Sequence, residues 1–429
     1  MATEGEPARS PASGGMPSGS ASDLEVVDRD ASPAITTSVR PECHAAPRGR
    51  FRRDIQGLRA LAVLLVIGNH AGLAGFAGGF VGVDVFFVIS GYVITQLLLR
   101  EASKGIRSGL ADFYSRRVRR IAPAATAALV ATLAVGGLVL GANLDPRLPG
   151  DVRWASLFAA NFRFISTGSN YFVPGDHPSL IIQFWSLAVE EQFYLAFPAL
   201  AFAIWRFAPP QRRLRILRWA LVLTVAASAW WSIHISANEP VTAYYSPFTR
   251  FWELGVGCLL ATLTTGRLRR TVRSERLAVT AGVGLLGVAL ATLGTSSVFP
   301  GSLAWLPVGS ASLLIWAGAR GERTPVTRLL SARPLSYVGD ISYSLYLVHY
   351  MWLEVPKQLM PPLRGPAWML IELGGTAATA VVLHHLVENP VRRSRRLASD
   401  RVAILLALCV CIAASWTAAA LTQRLVPLS

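Results

Sequence analysis

The chain has 429 residues, of which 52% are hydrophobic and 15% charged, with a mean hydropathy of +0.42. Soluble globular chains are typically about 25% charged, so this composition argues against a string of soluble domains. The net charge of +16 would suggest nucleic acid in a soluble protein. Here the basic residues lie in short gaps between apolar runs, where they report membrane topology. We therefore expect membrane lipid around the chain and no nucleic-acid partner.

Cysteine and histidine spacing predicts no metal site. The four cysteines have neither CxxC spacing nor a nearby histidine pattern, and three of them lie in apolar runs. We interpret them as small buried hydrophobes, and we expect no permanently bound cofactor.

Eleven apolar runs follow a tail of residues 1–50 that is rich in Ser, Pro, Ala and Gly and predicted to be disordered. Each run is long enough to cross a bilayer as a helix. We predict an all-α, polytopic membrane helical bundle with about 10–11 transmembrane helices. The runs lie near 57–76, 79–99, 122–142, 184–205, 217–236, 246–265, 277–297, 302–319, 339–359, 366–387 and 402–422.

Arginine-rich segments occupy alternate gaps between these runs, beginning with residues 100–120. Positively charged loops stay on the cytoplasmic side. We therefore predict a multi-pass protein of the cell membrane with a cytoplasmic N-terminus and an extracytoplasmic 143–183 loop. Residues 391–429 are predicted to form a basic cytoplasmic loop and a final transmembrane helix.

The first run contains Arg59 and His70, which are eleven residues apart. Eleven helical residues return to within about 20° of the same face and rise about 16 Å. One face thus carries a guanidinium near one interface and an imidazole deep in the membrane. An ionisable group there is costly and often functional, although a hydrogen-bonded packing histidine remains an alternative.

Asp84, in the second run, falls at a level close to His70 across a short hairpin. A carboxylate there could orient the imidazole for acid–base chemistry. It could equally be a structural acid bonded to backbone amides or to an arginine.

A dense basic cluster precedes the third run: Arg116, Arg117, Arg119 and Arg120. Arginine binds phosphates through forked hydrogen bonds, so this cluster is a candidate phosphate site. The alternative is ordinary positive-inside topology or binding of lipid headgroups.

Two further segments place polar groups at membrane depth. Glu190 and Glu191 stand in an apolar helix without an adjacent base, and are candidates for catalysis or for structural ion pairing. In the ninth run Tyr346 and His349 belong to a polar-aromatic stripe that could line a substrate cavity or form an interfacial aromatic belt.

Five segments in this order together resemble the acyltransferase-3 family of membrane acyltransferases, over residues 51–390. They are RDIQGLRALAVLLVIGNHAG (53–72), GGFVGVDVFFVISGYVIT (78–95), FYSRRVRRIAP (113–123), FWSLAVEEQFYL (184–195) and ISYSLYLVH (341–349). By this resemblance the essential histidine of the family falls on His70 and its first-helix arginine on Arg59. Its basic motif, thought to meet the phosphates of coenzyme A, falls on Arg116, Arg117 and Arg120.

The resemblance implies an O-acyltransferase that moves an acyl group, often acetyl, from acyl-CoA to a hydroxyl. The family's acceptors include sugars, polysaccharides, lipids and antibiotics. We expect a sugar or a glycosylated or antibiotic small molecule, and location in the bacterial cytoplasmic membrane. His70 would act as the general base, with Asp84 or a glutamate of the fourth run orienting it. A proton-coupled transporter or flippase is the alternative, because buried His, Asp and Glu also form proton relays.

Overall fold

The computed structural model describes residues 52–102, 106–172, 179–264, 271–321, 323–359, 365–394 and 401–425. The predicted disordered tail, residues 1–50, lies outside the described residues. Within the described ranges the chain forms helices joined by turns and contains no strand. This agrees with the predicted all-α class, since a helix satisfies all its backbone hydrogen bonds internally in a membrane.

Each of the eleven predicted runs corresponds to one helix of 14 residues or more. The helices are α1 (Arg53–His70), α2 (Gly82–Ala102), α3 (Ile106–Leu140), α4 (Phe184–Phe207), α5 (Arg213–Ile235), α6 (Pro247–Thr264), α7 (Val272–Thr292), α8 (Trp305–Gly318), α9 (Ser342–Leu359), α10 (Pro366–Leu383) and α11 (Arg401–Leu425). The largest deviation is in α3, which begins before the apolar run and carries the arginine cluster on its first half.

Seven of the described helices are long and apolar enough to cross a membrane, which makes the chain a multi-pass membrane protein. Among the other four, α8 is apolar but has only 14 residues. Helices α1, α6 and α9 have 18 residues each and carry ionisable side chains such as Arg59, Arg250 and His349. Their charges lower the hydropathy that a lipid-facing helix requires.

Burial divides the bundle into a centre and a periphery. In α2 the apolar window is 67% buried within the protein, whereas in α11 it is 17% buried. Helix α1 is central too, because Ala60, Ala62, Val63 and Val66 have no exposed surface. The helices that carry candidate functional groups are therefore the enclosed ones.

Helices α2 and α6 approach each other closely through glycine. A Cβ atom on Gly91 of α2 would overlap the carbonyl oxygen of Leu254 on α6. Reciprocally, a Cβ on Gly257 of α6 would overlap the carbonyl oxygen of Val88 on α2. Small residues at helix interfaces permit such backbone contact in membrane proteins. The contact fixes α2 relative to α6 at the level of several buried polar groups.

Short helices close the bundle at the end where α1 finishes. Leu148–Ser156 and Ala160–Ser166 lie between α3 and α4, and Pro240–Tyr245 lies between α5 and α6. Gln192 of α4 donates a hydrogen bond to the carbonyl of Phe158 at 3.0 Å, which ties this segment to the bundle. The remaining short helices are Pro325–Leu330, Arg333–Asp340 and Asn389–Arg393, the last preceded by a π-helical turn at His384–Glu388.

Candidate active site

His70, the last residue of α1, is hydrogen-bonded at both ring nitrogens. Its Nδ1 lies 2.8 Å from Nε2 of His349 on α9. Its Nε2 lies 2.5 Å from the hydroxyl of Tyr171, in the segment before α4. His349 is fully buried, and its Nδ1 lies 2.8 Å from the backbone carbonyl of Tyr346. Four groups thus form one continuous chain of hydrogen bonds.

When both imidazoles are neutral, the donors and acceptors in this series of hydrogen bonds can be arranged in only one way. A carbonyl can only accept, so Nδ1 of His349 donates to Tyr346 and its Nε2 accepts from Nδ1 of His70. Nε2 of His70 then carries a lone pair. Burial raises the pKa of the Tyr171 phenol, so the hydroxyl stays protonated and donates to that lone pair. His349 therefore fixes the tautomer of His70 and leaves Nε2 of His70 as the base.

Aromatic rings pack around the His70 imidazole on several sides. The rings of His349, Tyr350 and Tyr171 have centroids 5.0, 5.0 and 5.7 Å away. Lys357 of α9 donates to the backbone carbonyl of His70 at 3.0 Å and so caps the end of α1. The imidazole is therefore held in one orientation by packing as well as by hydrogen bonds.

A cavity of about 380 Å³ begins near Arg59 and ends one helical turn from His349. Phe86, Ser90, Val93 and Leu97 line it along one face of α2. At the inner end, Tyr346 donates or accepts a 2.6 Å hydrogen bond with Ser186 of α4. Neither His70 nor His349 lines the cavity. The cavity leads toward the two histidines and stops at Tyr346.

The other end of the cavity is strongly basic. Among the described residues that line it, five are arginines and one is an acid, Glu190; the arginines are Arg59, Arg116, Arg117, Arg120 and Arg392. Among the described residues, Arg59 donates a hydrogen bond to the neutral side chain of Gln56 at 3.1 Å. Arg116 lies 3.4 Å from Glu101. Within the described residues, Arg120 and Arg392 form no ion pair. Uncompensated guanidinium groups facing a cavity are suited to a polyanionic ligand.

Arg117 is held by acids and an aromatic ring. Its guanidinium lies 2.8 Å from Glu191 and 3.5 Å from Glu190, and 3.2 Å from the ring centroid of Tyr194. Glu190 also accepts hydrogen bonds from Ser90 and from Tyr194. The two predicted acids therefore surround Arg117, a predicted phosphate ligand, and neither contacts His70.

Arg119 faces away from the cavity. It is 8% exposed and donates to the backbone carbonyls of Ser115 and Ser394. Neighbouring helical residues point about 100° apart, so Arg119 and Arg120 lie on different faces of α3. The structure brings Arg59, Arg116, Arg117 and Arg120 together in the cavity and excludes Arg119.

Asp84 lies in a buried ion cluster. Its Oδ1 accepts from Arg250 at 3.0 Å, and the same guanidinium nitrogen lies 2.8 Å from Glu253. All three side chains are at most 1% exposed. The guanidinium also stacks near the rings of Trp185, Tyr244 and Phe299, with centroid distances of 5.3, 4.9 and 5.2 Å. Asp84 is thus the partner of an arginine, and the position beside His70 is taken by His349.

A family model described as an acyltransferase domain matches residues 52–419, which is most of the chain. The chain belongs to this family. The predicted resemblance is thereby confirmed.

Curated relatives of this acyltransferase domain are O-acetyltransferases of bacteria. The peptidoglycan O-acetyltransferase OatA of Listeria monocytogenes is 30% identical over 80% of the chain. The putative peptidoglycan O-acetyltransferase YrhL of Bacillus subtilis is 30% identical over 81%, and the O-acetyltransferase OatA of Staphylococcus aureus is 31% identical over 80%. The matched region spans 56–58% of the length of these relatives. No solved structure matches the chain.

Sequence reasoning missed three side chains of the candidate site. The sequence makes no prediction for Tyr171, because irregular loops offer no periodicity from which a contact could be predicted. The sequence predicts Arg392 only as part of the basic loop after residue 391, whereas the structure places it on the short helix Asn389–Arg393, where it lines the cavity. Ser186, one turn before Glu190, closes the inner end of that cavity with Tyr346. Ser186 lies within a segment that carries the family resemblance, but the resemblance assigns it no role, and Tyr171 and Arg392 lie outside the five segments.

Proposed function

We propose that this protein is a membrane O-acyltransferase that moves an acyl group from acyl-CoA to a hydroxyl of a saccharide. One observation carries the proposal: α1 presents Arg59 to a basic cavity and His70, eleven residues on, to a hydrogen-bonded histidine pair. The rise between them is about 16 Å. An extended pantetheine arm is a suitable bridge between an anion site and a base at that separation.

Acyl-CoA enters from the basic end, which we assign to the cytoplasm. Its phosphates bind Arg120, Arg392 and Arg59, with Arg116 at the rim. Arg117 contributes positive potential, but Glu190 and Glu191 hold its guanidinium in place. The pantetheine arm lies along the α2 face of the cavity with the thioester leading. Coenzyme A is the co-substrate in this proposal, and no resident cofactor takes part.

His70 acts as the general base. The acceptor hydroxyl takes the place of the Tyr171 hydroxyl at Nε2, and its oxygen attacks the thioester carbonyl carbon as its proton passes to Nε2. The tetrahedral intermediate collapses with cleavage of the carbon–sulfur bond. The proton on Nε2 then passes to the departing thiolate, which gives the ester and free CoA. His349 accepts from Nδ1 throughout and stabilises the imidazolium.

In this mechanism the acids have supporting roles. Asp84 and Glu253 neutralise Arg250, which packs beneath Tyr244, and Tyr244 in turn stacks on Tyr171 at 4.7 Å. Glu190 and Glu191 position Arg117. We assign the proton transfer to His70 alone.

The saccharide acceptor approaches from the end opposite the arginines. Tyr171 belongs to the segment that covers this end, so the covering segment meets the acceptor first. The relative from Listeria is a peptidoglycan O-acetyltransferase and the relative from Bacillus a putative one, which favours a carbohydrate acceptor here. An antibiotic or other natural product with a hydroxyl is the second acceptor class to be tested.

The test uses purified protein in detergent with acetyl-CoA labelled in the acetyl group. Soluble glycan fragments, free sugars and a glycosylated macrolide are supplied as acceptors, and both labelled ester and free CoA are measured. Wild type is compared with His70→Ala and, for the donor site, with Arg120→Ala. His234→Ala, which changes an exposed histidine in the last turn of α5, is the control histidine variant.

Ester formation that requires His70 and tracks CoA release stoichiometrically supports the proposal. Wild-type-like turnover in His70→Ala excludes the assigned base. If a panel of acyl-CoAs neither binds nor reacts, the donor assignment is wrong, and a transporter becomes the favoured function. A proton-flux assay in vesicles then replaces the transfer assay.

A further inference from the structure

Three side chains from three helices line the cavity and contact one another at its inner end: Phe86 of α2, Ser186 of α4 and Tyr346 of α9. The Tyr346 hydroxyl bonds Ser186 at 2.6 Å and donates to the carbonyl of Gln183 at 3.1 Å. Its ring meets that of Phe86 edge-on, with centroids 6.2 Å apart. Tyr346 is therefore fixed across the cavity by two hydrogen bonds and one ring contact.

Behind Tyr346 lies the histidine pair. The ring of His349 is 5.5 Å from that of Tyr346, centroid to centroid. Three residues separate them on α9, which corresponds to a rise of about 4.5 Å. If acyl-CoA enters the cavity with its acyl group first, that group must pass the side chain of Tyr346 to reach His70.

Little room is available beyond that level. The His70 ring is packed by His349, Tyr350 and Tyr171 at 5.0–5.7 Å. An acyl tail would have to displace one of these rings. A long hydrocarbon tail is therefore excluded by steric clash. In a closely fitting pocket, one extra methylene changes the ratio of kcat/KM between two substrates by about 10–200-fold.

We propose that Phe86, Ser186 and Tyr346 form an acyl-length filter, so that the donor is a short-chain thioester, acetyl or propionyl. This inference rests on the proposed acyl-CoA donor and adds the size of the group transferred. Phe86 contributes bulk, whereas Ser186 and Gln183 hold the Tyr346 ring in the path. These are specificity-determining residues and take no part in proton transfer.

The experiment measures kcat/KM for acetyl-, propionyl-, butanoyl-, hexanoyl- and octanoyl-CoA, with the acceptor found above. Phe86→Ala removes a ring at the filter. Leu97→Ala is the matched control, because Leu97 lines the same cavity on the same face of α2 eleven residues away, toward the basic end. Phe86→Leu is a milder truncation for use where Phe86→Ala does not accumulate in the membrane.

Wild type is expected to favour acetyl-CoA over butanoyl-CoA by about 100-fold or more, two methylenes at the lower bound above. Phe86→Ala is expected to reduce that ratio about tenfold or more and to permit hexanoyl transfer. Leu97→Ala is expected to change kcat/KM for every thioester by the same factor.

Equal turnover of acetyl- and octanoyl-CoA by wild type overturns the filter while leaving the donor class intact. The same holds if Phe86→Ala and Leu97→Ala give identical length profiles. Failure of wild type with all five thioesters instead overturns the proposed donor itself. The two failures are thus separate results.

Discussion

The Nδ1 atom of His70 lies 2.8 Å from the Nε2 atom of His349, although 279 positions separate the two residues in the chain. The first long helix supplies one imidazole and the ninth supplies the other. Because His349 is anchored to the Tyr346 carbonyl, it can only accept from His70 in the neutral pair. This pairing gives His70 a defined tautomer without a carboxylate.

His349→Ala is expected to lower kcat for acyl transfer about 100-fold, since general-base catalysis typically contributes 10²–10⁴-fold and the base remains present but unoriented. The KM for the donor should stay within about twofold, because His349 does not line the cavity. Steady-state kinetics with labelled donor measure both parameters.

His234→Ala is the control for this measurement. His234 is an exposed residue in the last turn of α5 and stacks on the ring of Trp230, with centroids 5.3 Å apart. It should retain wild-type kcat. A His349→Ala protein with unchanged kcat would show that the imidazole pair is structural only.

Arg120→Ala is expected to raise the donor KM about tenfold or more, because a charge-assisted hydrogen bond to phosphate is worth about 1.5–3 kcal/mol. Arg119→Ala is the neighbouring comparison. Its guanidinium bonds two backbone carbonyls outside the cavity, so its donor KM should stay at the wild-type value. Equal effects on KM would place both arginines in one nonspecific basic surface.

Much of the fold could be predicted from the sequence because apolar runs of bilayer length have few alternatives to helix. The spacing of Arg59 and His70 on one helix was likewise accessible, since helical periodicity is local. Contacts between helices were not. Asp84 met Arg250 rather than His70 because pairing of buried charges depends on how α2 and α6 pack, which no local pattern encodes. The direction in which Arg119 points could not be predicted either, because it depends on the rotation of α3 about its own axis.

Arg117→Ala is expected to lower the stability of the folded protein by about 1–3 kcal/mol, less than the loss of one partner from a fully buried ion pair, because these side chains are partly exposed. Glu190 and Glu191 would be left without their guanidinium at side-chain exposures of 21% and 15%. Thermal unfolding in detergent, followed by intrinsic fluorescence, measures the change. Combining Arg117→Met with Glu191→Gln should recover part of it, and failure to recover any would argue against pairing as the cause.

Gly257→Ala is expected to separate α2 from α6 and to reduce the amount of folded protein in the membrane severalfold. The added methyl would collide with the carbonyl of Val88, a backbone atom that cannot move aside alone. Gly284→Ala on α7 is the matched control, because nothing lies within 4 Å of its Cβ position. That change should be neutral or stabilising by up to about 1 kcal/mol, since alanine favours helix. Quantitative immunoblots of detergent extracts compare the two variants.

Asp84→Asn is expected to retain most activity, with kcat reduced less than about tenfold, because Glu253 remains to neutralise Arg250 in the buried cluster. The shape of the side chain is conserved. A loss as large as that of His70→Ala would instead make Asp84 part of the proton path. The same kinetic assay distinguishes these outcomes.

The hydroxyl of Tyr171 is hydrogen-bonded to Nε2 of His70, the nitrogen proposed as the base. This contact bears on what happens to a bound donor when no acceptor is present. In the proposed mechanism, water needs that same nitrogen to attack the thioester efficiently. While the phenol stays in place, the bound donor would then be protected from hydrolysis, and only an acceptor able to displace the ring would release the base. Leakage of acyl groups is then set by the loop that carries Tyr171, and it does not depend on how tightly the donor binds at the opposite end.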